Sequence, residues 1–204
     1  MGQSARASVE PAQQDDGVLL YNARAVTKSP CPTQPPQPRV DSAGLPACNL
    51  VPMRIDVLHG ANLNLLGERE PAIYGRATLA DIDLQLQRLA KQLAVEIHTF
   101  QSNHEGQLVD RVQAVRHATD GYILNPGGYT HTSVVLRDAL LASGRPFVEV
   151  HLSNPDAREP FRRISLLADV ALARVQGFGA VGYELALRGL VQHLQGGAPS
   201  ADER

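Results

Sequence analysis

The chain has 204 residues, 43% apolar and 20% charged, with 19 basic and 21 acidic side chains and a net charge of −2. That balance offers no broad positive field for nucleic acid or a membrane surface, and no apolar run approaches the ~18 residues of a membrane span. Two cysteines, Cys31 and Cys48, cannot build a disulfide framework or a four-thiolate zinc site, so the expectation is a soluble, cytoplasmic globular protein.

Residues 1–52 hold eight of the 14 prolines and the low-complexity piece Pro30-Cys-Pro-Thr-Gln-Pro-Pro-Gln-Pro38. A segment with so little buryable surface cannot offset its chain entropy, and it is expected to be a disordered extension. Met53-Arg-Ile-Asp-Val-Leu58 reads as the start of a domain, as if 1–52 came from an upstream start codon. Residues 53–195 are expected to form that domain, and 196–204 a flexible C-terminal tail.

Within the domain one unit recurs about five times. Ile55-Asp-Val-Leu58 is a short strand. Thr78-Leu-Ala-Asp81 has capping-box spacing and opens a helix whose stripe is Leu79, Ile82, Leu86, Leu89 and Leu93. Val95-Glu-Ile-His-Thr-Phe100 is a second strand, and Ser102-Asn-His-Glu105 repeats the cap spacing before Leu108, Val112 and Val115. Gly121-Tyr-Ile-Leu124 is the third strand, followed by a helix through Val134, Leu136, Ala139 and Leu140. Pro146-Phe-Val-Glu-Val150 is the fourth. A helical stretch is expected over 161–167, then a fifth strand over 170–175 and a last helix over 180–194.

Strands alternating with helices imply a parallel sheet covered on both faces, and right-handed crossovers leave few orders for five strands. The predicted fold is α/β: a flavodoxin-like doubly wound sheet in the order 2-1-3-4-5. In such sheets ligands bind beyond the carboxyl ends of the strands.

The loops at those ends are rich in functional groups. After strand one come 17 residues, from His59 to Gly75, long enough to be a binding loop, with Gly67 and Gly75 as hinges. Asn125-Pro-Gly-Gly-Tyr-Thr-His-Thr-Ser133 follows strand three, where Thr130 and Thr132 near a helix start would suit an anion. His151-Leu-Ser-Asn154 follows strand four.

The strings Gly60-Ala-Asn-Leu-Asn-Leu-Leu-Gly-Glu-Arg-Glu-Pro-Ala-Ile-Tyr-Gly75, Gln101-Ser-Asn-His-Glu-Gly106, Asn125-Pro-Gly-Gly-Tyr-Thr-His-Thr-Ser-Val134, Leu136-Arg-Asp-Ala139 and Glu149-Val-His-Leu-Ser-Asn154, with Arg158 and Phe161-Arg162, carry a resemblance. In this order and spacing the domain resembles the type II 3-dehydroquinate dehydratases from Arg54 to about Leu194. The resemblance implies a lyase that removes water from 3-dehydroquinate to give 3-dehydroshikimate through an enolate, in the shikimate route or in quinate breakdown.

It also implies residue roles. Tyr74 matches the general base and Arg69 the cation that would lower its pKa. Asn62 matches the residue that steadies the enolate through an ordered water, and His151 the general acid. Asn125, His131, Leu152, Ser153 and Arg162 match substrate-binding positions. Asp138 matches a residue reaching an adjacent subunit's site, and Glu105 an acidic group near the acid histidine. No metal or cofactor is implied, and the expected assembly is a dodecamer built from trimers. Mild departures at Ile164, Leu166 and Ala173 remove none of these groups.

Two other patterns carry less. Gly177-Phe-Gly-Ala-Val-Gly182 has dinucleotide-loop spacing, but it follows the last strand, so close helix–strand packing explains it better. His59, His131 and His151 lack the short spacing of metal ligands. His59, His98, His104, His117 and His193 are expected to have no chemical role, and Arg163 to be solvated or at a subunit contact. The only lysines, Lys28 and Lys91, are poorly placed for imine chemistry, which disfavours a Schiff-base dehydratase. The competing readings are a flavin-binding module on the same sheet edge and an inactive homologue serving as an assembly partner.

Overall fold

The computed structural model describes residues 52–68 and 77–196. Nearly all of the expected N-terminal extension and C-terminal tail lies outside the described residues, as does segment 69–76 with Arg69, Tyr74 and Gly75.

Among the described residues five strands form one parallel sheet: β1 (Arg54–His59), β2 (Glu96–Gln101), β3 (Gly121–Asn125), β4 (Phe147–His151) and β5 (Ala173–Gln176), in the order β2-β1-β3-β4-β5. This is the expected doubly wound, flavodoxin-like arrangement. Among the described residues four helices cover it: α1 (Leu79–Leu93), α2 (Glu105–Val115), α3 (Val134–Ser143) and α4 (Val181–Gly196).

Successive strand residues point to opposite faces, so each central strand supplies two cores. Ile55, Val57, Ile123, Val148 and Val150 meet Ile82, Leu86 and Leu89 of α1 and Tyr183, Leu187 and Leu190 of α4. Leu58, Tyr122, Leu124 and Phe147 meet Leu108 and Val112 of α2 and Leu136 and Leu140 of α3. Burial on both faces is why these strands read as nearly continuous apolar runs.

The caps are mixed. Thr78 accepts from the backbone N–H of Asp81 at 3.2 Å while Asp81 accepts from Thr78 at 3.0 Å, the capping box expected from the sequence. The second expected cap does not form. α2 starts at Glu105 behind His104, and Ser102 instead accepts from the His104 N–H at 2.9 Å and donates to Gln107 at 2.6 Å, tightening the loop after β2.

The expected helix over 161–167 is absent. The β4–β5 connection contains only two 3-10 turns, Pro155–Ala157 and Pro160–Arg162. Phe161 and Ile164 are 61% and 65% exposed, so the apolar spacing of 161, 164 and 167 buries only Leu167. The backbone here is committed elsewhere: Leu166 N–H donates to the Thr130 carbonyl at 2.8 Å, and His131 and Arg137 donate to the carbonyls of Ile164 and Leu166, each at 2.6 Å. A helix needs those groups for itself. For the same reason β5 starts at Ala173 rather than 170, after Val170 and Ala171 turn back onto the Leu167 carbonyl.

Candidate active site

The strand order reverses between β1 and β3, which opens a crevice at their carboxyl ends. Two glycines let the flanking loops run back to back. Gly60 donates to the Asn125 carbonyl at 2.7 Å, and a Cβ on Gly60 would stand 2.2 Å from the Pro126 carbonyl oxygen. Gly127 has φ +61, and a Cβ there would meet the Ala61 carbonyl oxygen at 2.9 Å. Only glycine permits that approach.

Between these loops and the one after β4 lies a cavity of about 250 Å³, room for one small molecule. Seven of the residues singled out in the sequence line it: Asn62, Asn125, His131, His151, Leu152, Ser153 and Arg162. They come from three loops far apart in sequence. Arg158, quoted in the sequence only as part of a motif, lines it as well.

Four of them are held in place by contacts outside the cavity. Asn125 is buried at the end of β3, and its side-chain oxygen accepts from Gly127 N–H at 3.2 Å. His131 spends Nδ1 on the Ile164 carbonyl, leaving Nε2 for the cavity. Arg162 donates through Nε to Glu159 at 2.7 Å and packs over the Phe161 ring, 5.0 Å from its centroid.

His151 Nε2 is 2.7 Å from Oε1 of Glu149, two residues earlier on β4. Glu149 is 0% exposed. The hydroxyls of Thr130 and Ser165 also donate to it, Ser165 at 3.0 Å. Arg174 Nε on β5 lies 3.1 Å from Oε2, an ion contact rather than an aligned hydrogen bond. Burial pushes the Glu149 carboxyl up, but the hydrogen bonds from His151 and Thr130 and the charges of His151 and Arg174 outweigh it. The net effect holds the carboxyl below its ordinary range, hence ionised. An ionised Glu149 can only accept, so Nε2 carries a proton and Nδ1 is the nitrogen that can serve the cavity.

The expectations for Glu105 and for Thr130 and Thr132 need correction. The acid beside His151 is Glu149, not Glu105, which opens α2 after β2. Alternation along β4 puts residues 149 and 151 on one face, a Glu-x-His signal available in the sequence. Thr130 is not turned to the cavity to receive a ligand anion; it is buried and donates to the Glu149 carboxylate, while Thr132 is exposed and lies off the cavity. Asp138 is exposed on α3 and does not line the cavity of its own chain. His59 does not reach the cavity and joins elements instead, with Nδ1 2.9 Å from the Tyr183 hydroxyl and Nε2 3.0 Å from Asp83. Ser165 and Arg174 carried no signal, because their contact with Glu149 depends on how the β4–β5 connection folds back.

Gly67 has φ +89, a conformation that favours glycine. The dinucleotide-like pattern resolves into two left-handed turns at Gly177 and Gly179; at Gly182 a Cβ would make only ordinary contact, 3.5 Å from Val175, so helix–strand packing does not demand glycine there. No group of three or more His, Cys, Asp or Glu that could hold a metal ion occurs among the described residues, and no helix among them is long and apolar enough to cross a membrane.

Residues 53–191 match the family described as dehydroquinase class II. A protein of Synechococcus sp. strain WH7803 named 3-dehydroquinate dehydratase is 56% identical over 144 residues, covering 71% of this chain and 98% of that protein. A protein of the same name from Prochlorococcus marinus is 54% identical over 143 residues, covering 70% and 96%. Among solved structures, a type II dehydroquinase from Butyrivibrio crossotus superposes with a TM-score of 0.67 at 40% identity, covering 68% of this chain and 97% of that one. A type II dehydroquinase from Propionibacterium acnes gives 0.66 at 34% identity, covering 69% and 99%.

Proposed function

This chain belongs to the class II dehydroquinase family and is a 3-dehydroquinate dehydratase of the shikimate route, and we propose that it works through an enolate formed by Tyr74 and discharged by His151. The observation that carries this division of labour is the His151–Glu149 pair at the rim of a cavity that also collects Asn62, Asn125 and Arg162.

Substrate and product differ by one water, so the reaction is redox-neutral. A proton leaves the carbon alpha to the ketone, electron density moves onto the carbonyl oxygen, and the hydroxyl on the next carbon departs as water. Tyr74 takes the proton. A free phenol has a pKa near ~10, and lowering it by about three units requires roughly 4 kcal/mol of preferential stabilisation of phenolate. Arg69, in the same loop, supplies the positive charge. Asn62 steadies the enolate oxygen through a water. His151 acts as the imidazolium: its Nε2–H stays on Glu149, which holds the ring in one orientation, while Nδ1 gives its proton to the leaving hydroxyl and the ring is left neutral. Asn125, His131, Ser153, the backbone at Leu152 and Arg162 bind the carboxylate and hydroxyls. An Arg fork suits a carboxylate.

The same reading assigns a cytoplasmic location and an assembly of trimers gathered into a dodecamer, with Asp138 reaching a neighbouring site. Val134, Asp138 and Leu141 share one exposed face of α3, and Val134 and Leu141 are more than half exposed, a surface suited to burial against another copy.

An ultraviolet assay for the conjugated enone product tests the chemistry. The wild type turns over, Tyr74→Phe and His151→Ala lose most of kcat, and borohydride with substrate causes no irreversible inactivation. Full turnover by Tyr74→Phe would overturn the assignment of the base, and borohydride inactivation would point to an imine instead. Sedimentation of the native protein tests the assembly.

A further inference from the structure

Asn62 stands in an unusual backbone conformation, with φ 67 and ψ 2. L-residues avoid this left-handed region because Cβ crowds the following carbonyl, although Asn tolerates it better than most. A side chain that must meet a developing charge cannot be left to a backbone that relaxes away. Something outside the turn must hold it.

That support comes from the loop after β2. The Asn62 backbone N–H donates to Oδ1 of Asn103 at 2.9 Å. The same oxygen accepts from Gln101 Nε2 at 3.1 Å, and Gln101 Nε2 also lies 3.4 Å from the Gly60 carbonyl. The Asn103 carbonyl accepts from the Tyr129 hydroxyl at 2.7 Å, and Tyr129 sits in the 3-10 segment Gly127–His131 after β3. Asn103 thus ties together the loops after β1, β2 and β3. It does not line the cavity.

We propose that Asn103 is a positioning residue for the dehydration, a clamp that locks Asn62 in its left-handed turn so that the Asn62 amide is aimed at the enolate. Its side-chain oxygen holds the Asn62 backbone N–H, and so the turn from which the Asn62 side chain projects, and Tyr129 fixes Asn103 against the third loop. The inference rests on the proposed role of Asn62 at the enolate. It predicts a loss confined to the transition state, because Ser153 and Arg162 bind the ground state from the connection after β4, which the clamp does not touch.

The test is steady-state kinetics with 3-dehydroquinate on the full chain for Asn62→Ala, Asn103→Ala, Tyr129→Phe and the Asn62→Ala/Asn103→Ala double variant, each with its Tm. Asn103→Ala is expected to lower kcat about tenfold to hundredfold, the scale of a small misplacement of a reacting group, with KM within about twofold of wild type. Tyr129→Phe moves the same way by less. The double variant has the kcat of Asn62→Ala alone, because the clamp has nothing left to position.

The clamp is overturned if Asn103→Ala keeps wild-type kcat while Asn62→Ala loses it. It is also overturned if the two losses multiply, or if kcat, KM and Tm all degrade together. Should Asn103→Ala not fold, Tyr129→Phe removes one hydroxyl only, and an unchanged kcat there rejects the clamp. An Asn62→Ala variant with full kcat refutes the proposed role of Asn62 itself, and the clamp with it.

Discussion

His151 Nε2 and Glu149 Oε1 lie 2.7 Å apart on one face of β4, with the carboxylate completely buried and the imidazole at the cavity rim. The carboxylate accepts, so it keeps Nε2–H, sets the ring plane of His151 and leaves Nδ1 toward the cavity. His151→Ala is expected to lower kcat by about 10²- to 10⁴-fold, the usual range for a lost general acid. Glu149→Gln keeps the shape but removes the obligatory acceptor, and kcat is expected to fall about tenfold to hundredfold. The enone assay checks both, and a Glu149→Gln enzyme with wild-type kcat would separate the pair from the chemistry.

Glu149 also links stability to pH. Its pKa in the folded chain is depressed below the ordinary 4.5, so the ionised carboxylate favours the native state. That contribution is fully present above about 4.5 and is lost as pH falls through the depressed value. Urea unfolding of wild type and Glu149→Gln, compared between pH 7 and pH 3, should show a stability gap that narrows below about pH 4.5. A gap that stays constant across that window refutes the linkage.

Gly60→Ala puts a methyl 2.2 Å from the Pro126 carbonyl oxygen. Backbone is on both sides, so no side chain can swing away, and the loops after β1 and β3 must separate. The cost is about 1–3 kcal/mol of stability, as for other overpacked sites. KM should rise as well, because the shift breaks the Gly60–Asn125 contact beside the buried amide. Chemical denaturation and a KM measurement on the same preparation suffice.

Tyr183→Phe tests the link between β1, α1 and α4. Burial pushes the Tyr183 phenol pKa well up, so it keeps its proton, and with His59 Nε2 turned to the Asp83 carboxylate, Nδ1 is left to accept from the Tyr183 hydroxyl. Removing the hydroxyl strands a buried ring nitrogen, at about 1–3 kcal/mol. The midpoint of urea unfolding should fall with an unchanged slope.

Much of the fold was legible because periodicity reports burial locally. The Leu79–Leu93 stripe, the Thr78 cap and the apolar runs of β1, β3 and β4 each record which face meets a core. The stretch 161–167 misled for the same reason. Its apolar spacing fits a helix, but its backbone donors and acceptors are taken by Thr130, His131 and Arg137, partners that no local pattern reveals. Ser102 likewise had cap spacing yet turned inward to Gln107.

The sequence by itself determined the alternation of strands and helices, hence a sheet whose carboxyl edge gathers three loops, and motif strings specific enough to name the chemistry and seven of the cavity residues. Which groups serve those residues depends on the folded chain: Glu149, Ser165 and Arg174 around His151, Asn103 beside Asn62, and His59 bound inward to Tyr183 and Asp83. Such contacts join positions up to 124 residues apart. They are set by strand register and by backbone hydrogen bonds already committed, quantities that exist only once the chain has crossed itself.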